Sequence, residues 1–336
     1  MKELVFDRSV TNALKIAAAI CVAIFHHSYC VWAGSLDFFS FSYATTSRLA
    51  SWGIAVFFFF SGYGLMESEK RKPLTTFGSF VRRRLLKIYV PVVLVTLLWL
   101  PLYLRGTADV PETWGQAAAY AGKVITTLLW KWGDSALWFV RSLLQLYLLF
   151  FFFAKLLRNN RQTAAWGLML VGTLGIYLMK CSSNEYQAIS IPLFGIGAFA
   201  SCFKHQIYRG LHLSLLPLGT CCMVAMVLHG EASITALLVQ NYGFVAIMIL
   251  TCSNFELKLP NVPLLGDLSF DVYLVHNKIL EYTFRFQGCG ISIGWFATLT
   301  LVLAGTFYIL RTKVLEQVNK QTSKQVDKQT SKQVDK

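Results

Sequence analysis

Charged side chains are scarce in this sequence. Only 14% of its 336 residues are Asp, Glu, Lys or Arg, whereas a water-facing globular domain carries about 25%, so an ordinary soluble domain is excluded. Acidic residues are scarcer still, 17 against 31 Lys and Arg, which leaves a formal net charge of +14. Paired cysteine spacing is also missing. The eight Cys stand singly apart from Cys221-Cys222, with no C-x-x-C, which argues against a metal or redox site. Cys181 and Cys289 fall in expected outward loops, where they could pair; small buried hydrophobes are the plainer reading. No basic run is interleaved with aromatics on a soluble module, so nucleic acid is not an expected partner. No cleavable leader is legible ahead of the first apolar run, which is expected to stay as a signal anchor.

What is present is apolar: 55% hydrophobic and 15% aromatic residues. Taking about 20 apolar residues as the length that crosses a ~30 Å hydrocarbon core, ten spans are expected. They lie at 13–33, 47–67, 85–104, 136–154, 163–180, 188–203, 211–229, 232–252, 263–282 and 291–311. The Lys123-interrupted segment from Trp114 to Trp132 reads as an interfacial or re-entrant piece. The fold class is therefore all-α, a polytopic integral membrane protein. With the N-terminus inside, most Lys and Arg fall on inward segments, so both termini are expected in the cytoplasm. Residues 1–312 read as one transmembrane domain. Residues 313–336 read as a disordered polar cytoplasmic tail without a catalytic role, because the octapeptide KQTSKQVD, written twice over Lys320 to Asp335, cannot bury a core.

Several polar groups interrupt the spans, and ionisable side chains at membrane depth are costly enough to mark function by default. The first span, LKIAAAICVAIFHHSYC, holds Lys15, His26 and His27. At 100° per residue Lys15 and His26 lie within about 20° of one face and about 16 Å apart, whereas His27 is about 120° away. His26 thus shares the lysine's stripe. The blander alternative is a snorkelling lysine and a histidine bonded within the bundle. In the second span four phenylalanines precede Ser61-Gly62-Tyr63-Gly64, where glycine permits close backbone approach or local unwinding. Arg82, Arg83, Arg84 and Lys87 cluster at the mouth of the third span. They suit a phosphate-rich ligand, or serve as ordinary positive-inside anchors. The fourth span opens with Trp138 at the outer interface and Arg141 one turn inside. The ninth carries Asp267, Asp271, Tyr273, His276, Asn277 and Lys278, and helical spacing brings Asp271 and Lys278 to one face as a candidate pair bridged by water or a third residue. By depth, His26, Arg141 and His276 meet near the outer leaflet.

These segments, in this order, resemble the membrane-bound acyltransferase family 3 over roughly residues 10 to 311. The family's basic residue, ten residues and histidine is similar to Lys15 to His26. Its FF-x-x-SG-F/Y resembles Phe57 to Tyr63, and its R-x-x-R before proline resembles Arg84 to Lys87 with Pro91. Its LWF and S-[YF]-x-x-YL-x-H resemble Leu137 to Phe139 and Ser269 to His276. Lysine stands at 15 and 87 where arginine is usual, keeping the charge and giving up the planar fork.

The resemblance implies a membrane O-acyltransferase of the inner (cytoplasmic) membrane. Its donor would be acetyl-CoA or another short acyl-CoA, with no metal, and its acceptor a hydroxyl of a cell-surface or lipid-linked carbohydrate. His26, Lys15 and His276 are the expected catalytic residues. Arg82, Arg83, Arg84 and Lys87 would hold the CoA phosphates. Ser61, Tyr63, Trp138, Arg141, Asp271 and Tyr273 would serve the substrate or the oxyanion. The competing class is a transporter of a glycan or lipid-linked intermediate, which would use similar polar midplane groups; no internal repeat between the halves supports it. Acceptor, acyl group and oligomeric state are not legible in the sequence.

Overall fold

The computed structural model describes residues 6–31, 43–73, 76–99, 113–127, 137–156, 160–168, 170, 190–210, 234–254, 263–287 and 291–334. The described residues contain helices and no strand. They are α1 Arg8–Val31, α2 Tyr43–Arg71, α3 Phe77–Phe80, a π-helical turn Val81–Leu85, α4 Leu86–Leu98, α5 Trp114–Thr127 and α6 Trp138–Leu156. Then follow α7 Pro192–Cys202, α8 Ile234–Asn254, α9 Pro263–Gln287 and α10 Ile293–Val334. Four stretches among them are long and apolar enough to cross a membrane: Arg8–Ser28, Arg48–Arg71, Trp138–Leu156 and Ile293–Val318. Helix α9 has the length but carries Asp267, Asp271, Lys278, Glu281 and Arg285. The expected span at 211–229, most of that at 163–180, and Cys181 and Cys289 lie outside the described residues.

Helix α2 is the centre of the bundle. Phe57, Phe58, Phe59 and Phe60 are consecutive and all buried, and four successive residues point around every side of a helix. Neighbours must therefore surround α2, and α1, α6, α7 and α8 do so. The closest crossing is with α7. A Cβ on Gly62 would collide with the Phe194 carbonyl, and one on Gly197 would collide with the Phe59 carbonyl. Only glycine at both positions lets the two backbones touch, as at small-residue crossings in membranes. The helix stays unbroken through Ser61-Gly62-Tyr63-Gly64, so Gly62 serves close approach rather than unwinding.

Contacts along the helices give their relative directions. Asn12 meets Gly266 and His26 meets His276, so α1 and α9 run parallel. Ala18 meets Gly53, and Lys15 shares a cavity wall with Ser61, so α1 and α2 run antiparallel. Phe296 packs on His27 while Arg311 binds Asp271, which turns α10 back against both α1 and α9.

Helix α10 runs on through the octapeptide repeat to Val334. Lys and Gln are good helix formers, no Gly or Pro interrupts the repeat, and extending an existing helix avoids the costly nucleation step. Trp138 does not sit at the outer end of the bundle. Its neighbour Phe139 packs on Phe57 and Phe58, at the middle of α2, so α6 begins halfway along the bundle.

Candidate functional site

Four helices bring their polar interruptions to one cavity of about 180 Å³. Lys15 comes from α1, Lys87 from α4, Gly266, Asp267 and Ser269 from α9, and Arg311 from α10, while Ser61, Phe139 and Tyr147 line the deeper walls. Lys87 and Asp267 are exposed, which makes theirs the open side. Three cations and one carboxylate leave the mouth net positive. Burying such groups at helix ends is tolerable only where they are paired or kept wet.

Arg311 anchors the floor of this mouth. Its Nε donates to Asp271 Oδ1 at 2.6 Å, its Nη2 donates to the Asp267 carbonyl at 3.1 Å, and the guanidinium lies over the Tyr308 ring at 4.9 Å. Asp271 is fully buried, so this arginine supplies the countercharge that its carboxylate requires. The direct partner of Asp271 is thus Arg311, and Lys278 Nζ, two turns further along α9, donates to Glu281 Oε2 at 2.9 Å.

The second group of polar side chains lies deeper. His26 Nδ1 and His276 Nε2 are 2.6 Å apart, and the rings meet edge to edge with centroids 4.9 Å apart and planes only 5° from parallel. His276 is buried, and its Nδ1 lies 3.1 Å from the Val272 carbonyl one helical turn back. His26 is half-buried. His27 is buried elsewhere: its Nε2 donates to the Ile291 carbonyl at 2.6 Å, and its ring packs on Phe296. An aromatic wall joins the two groups. Phe139 lines the cavity and meets Tyr273 at 5.1 Å, and Tyr273 meets His276 at 5.6 Å. Trp138 packs edge-on against Phe139, and Arg141 is buried in the first turn of α6.

Other expected site residues fall outside the cavity. Arg82 and Arg83 do not line it; they sit on the π-helical turn, whose extra residue rotates Lys87 relative to them. Arg84 donates to the Ser68 hydroxyl behind the wall. Tyr63, two residues and about 200° from Ser61, faces the opposite way. It lies near-parallel to Phe59, meets Phe6 edge-on and lies under the Lys204 ammonium at 5.6 Å. That ammonium belongs to a separate cluster, in which Glu67 accepts from Lys70, Lys204 and Ser201. Burial works against the Lys204 charge, yet the bond to Glu67 outweighs it and raises its pKa above the ordinary lysine value.

Arg311, Tyr147 and Asp267 were not singled out by sequence reasoning as site residues. The first looks like one more inward anchor and the second like one more aromatic of an apolar helix. Among the described residues no three His, Cys, Asp or Glu side chains are grouped to hold a metal ion.

Comparison with curated proteins and with solved structures finds no match. A family model described as an acyltransferase domain, that of acyltransferase family 3, matches residues 11–311. That stretch contains the cavity, the histidine pair and the aromatic wall between them. This chain, apolar enough for several membrane crossings and matched along about nine-tenths of its length, belongs to acyltransferase family 3.

Proposed function

We propose that this membrane acyltransferase moves a short acyl group, acetyl in the first instance, from cytoplasmic acyl-CoA to a hydroxyl of a cell-surface or lipid-linked carbohydrate. It would do so in the inner membrane, through ten spans with both termini in the cytoplasm. The parallel and antiparallel pairings of α1, α2, α9 and α10 agree with that alternation of directions. The observation that carries the reading is the continuity from a cationic mouth, past Phe139 and Tyr273, to a histidine pair. A phosphate-bearing thioester fits such a path, with its charged end held by Lys15, Lys87 and Arg311 and its acyl end carried inward.

In this reading His26 is the general base. It takes the proton from the acceptor hydroxyl as the oxygen attacks the thioester carbonyl. The C–O bond forms, the C–S bond breaks, and His26 returns the proton to the departing sulfur. Such catalysis contributes about 10²- to 10⁴-fold. Arg141, in the first turn of α6, and Tyr273 are the donors nearest the developing oxyanion. Arg82, Arg83 and Arg84 serve the membrane surface and the bundle rather than the donor phosphates.

The test is incubation of membranes containing the full chain with radiolabelled acetyl-CoA, followed by analysis of glycan and lipid fractions. Label in a carbohydrate, lost in His26→Ala at unchanged membrane abundance, is the expected result. Movement of acceptor across the membrane without label would replace transfer with transport.

A further inference from the structure

The hydrogen positions on the coplanar histidine pair are fixed by a third atom. Val272 offers a carbonyl oxygen, which only accepts, to His276 Nδ1 at 3.1 Å. His276 Nδ1 therefore carries the hydrogen. In a neutral ring the other nitrogen is then bare, so His276 Nε2 is an acceptor. The atom facing it at 2.6 Å, His26 Nδ1, must be the donor. By the same rule the remaining nitrogen of His26, Nε2, holds a lone pair. The reverse arrangement would point the bare His276 Nδ1 at the carbonyl oxygen, one lone pair against another.

We propose that His276 is a positioning residue that fixes the tautomer of His26, keeping His26 Nε2 unprotonated and available to take the acceptor's proton. The proposal rests on the transfer reading above and adds the device that makes His26 a base. The two rings lie nearly in one plane, 5° apart and edge to edge across the N···N contact, so the bond holds the His26 plane as well as its hydrogens. When Nε2 takes the hydroxyl proton, the imidazolium donates from Nδ1 to His276, and a bond to a charged donor is stronger than the neutral one it replaces. The pair therefore favours the charged intermediate over the resting state. In a Ser-His-Asp triad a carboxylate performs this orienting duty. Here a buried imidazole, itself held by a backbone carbonyl, occupies that place.

The experiment uses the full chain, labelled with ¹⁵N-histidine, in lipid nanodiscs. Long-range ¹H–¹⁵N spectra separate protonated from bare ring nitrogens, and His26→Asn identifies the His26 signals. The expected result is a His26 with hydrogen on Nδ1 and none on Nε2. In His276→Leu that preference is lost, and kcat with labelled acetyl-CoA falls by about 10²- to 10⁴-fold, the range that a lost orienting partner produces, while KM for acetyl-CoA holds. His276→Gln, whose amide oxygen accepts where Nε2 did, restores both the tautomer and most of kcat. Hydrogen on His26 Nε2 in the unaltered chain overturns the proposal, as does full kcat in His276→Leu. The correct tautomer in a chain that transfers no label would uphold the proposal and remove the transfer reading.

Discussion

Arg311 has two duties, because the guanidinium that faces the cavity also neutralises the fully buried Asp271. Arg311→Gln leaves that carboxylate unpaired and should cost about 3–5 kcal/mol of stability, read as a lowered unfolding temperature in detergent. Adding Asp271→Asn should recover the stability but leave KM for acyl-CoA raised. Recovery of both would show that the mouth does not use this cation. At this scale helical rotation was a sound guide for α1, since the residue on the stripe of Lys15 is the one that meets His276 while His27 turns to Ile291. The same rotation, applied to Ser61 and Tyr63, separates them, and Tyr63 faces Phe6 and Phe59 rather than the cavity. Arg311 was illegible for another reason. A cation at the inward end of a span looks the same whether it faces lipid headgroups or a buried carboxylate forty residues earlier.

The α2–α7 crossing shows what an element can and cannot disclose in advance. Four phenylalanines followed by Ser-Gly-Tyr-Gly announce a helix buried on every side, but they do not say which neighbour approaches the glycines. Gly197→Ala drives a methyl group into the Phe59 carbonyl and should destabilise by about 1–3 kcal/mol. Gly64, a half-turn along, is exposed with open space around it, and Gly64→Ala should be neutral or stabilising by up to about 1 kcal/mol. Thermal unfolding of the two variants tests this contrast, and equal effects would refute the crossing. The π-helical turn Val81–Leu85 was likewise hidden. Nearness in sequence groups Arg82, Arg83, Arg84 and Lys87 in one cluster, whereas of the four only Lys87 lines the cavity.

Over the whole molecule, the all-helical class and the family were legible, because apolar run length and motif order survive without knowledge of packing. The polar helix α9 was placed by its hydrophobic remainder, although its five charged residues exclude it from a simple hydropathy criterion. The proposed orientation makes a direct prediction. In a cysteine-free background, Lys72→Cys should react with a membrane-impermeant maleimide only after the cells are opened, whereas Gln287→Cys should react from outside. The opposite pattern would invert the path from donor to acceptor.

One further consequence comes from the length of α10. Its 42 residues rise about 63 Å, twice a hydrocarbon core, and the stretch beyond the apolar part ending at Val318 reaches about 24 Å further. At physiological salt electrostatic influence fades over about 8 Å, so the tip of that extension lies about three screening lengths from the bundle. Positions 328 and 332, about 15 and 21 Å beyond Val318 at 1.5 Å per residue, thus raise the formal charge of the chain without strengthening the attraction that draws an anionic donor to Lys15, Lys87 and Arg311.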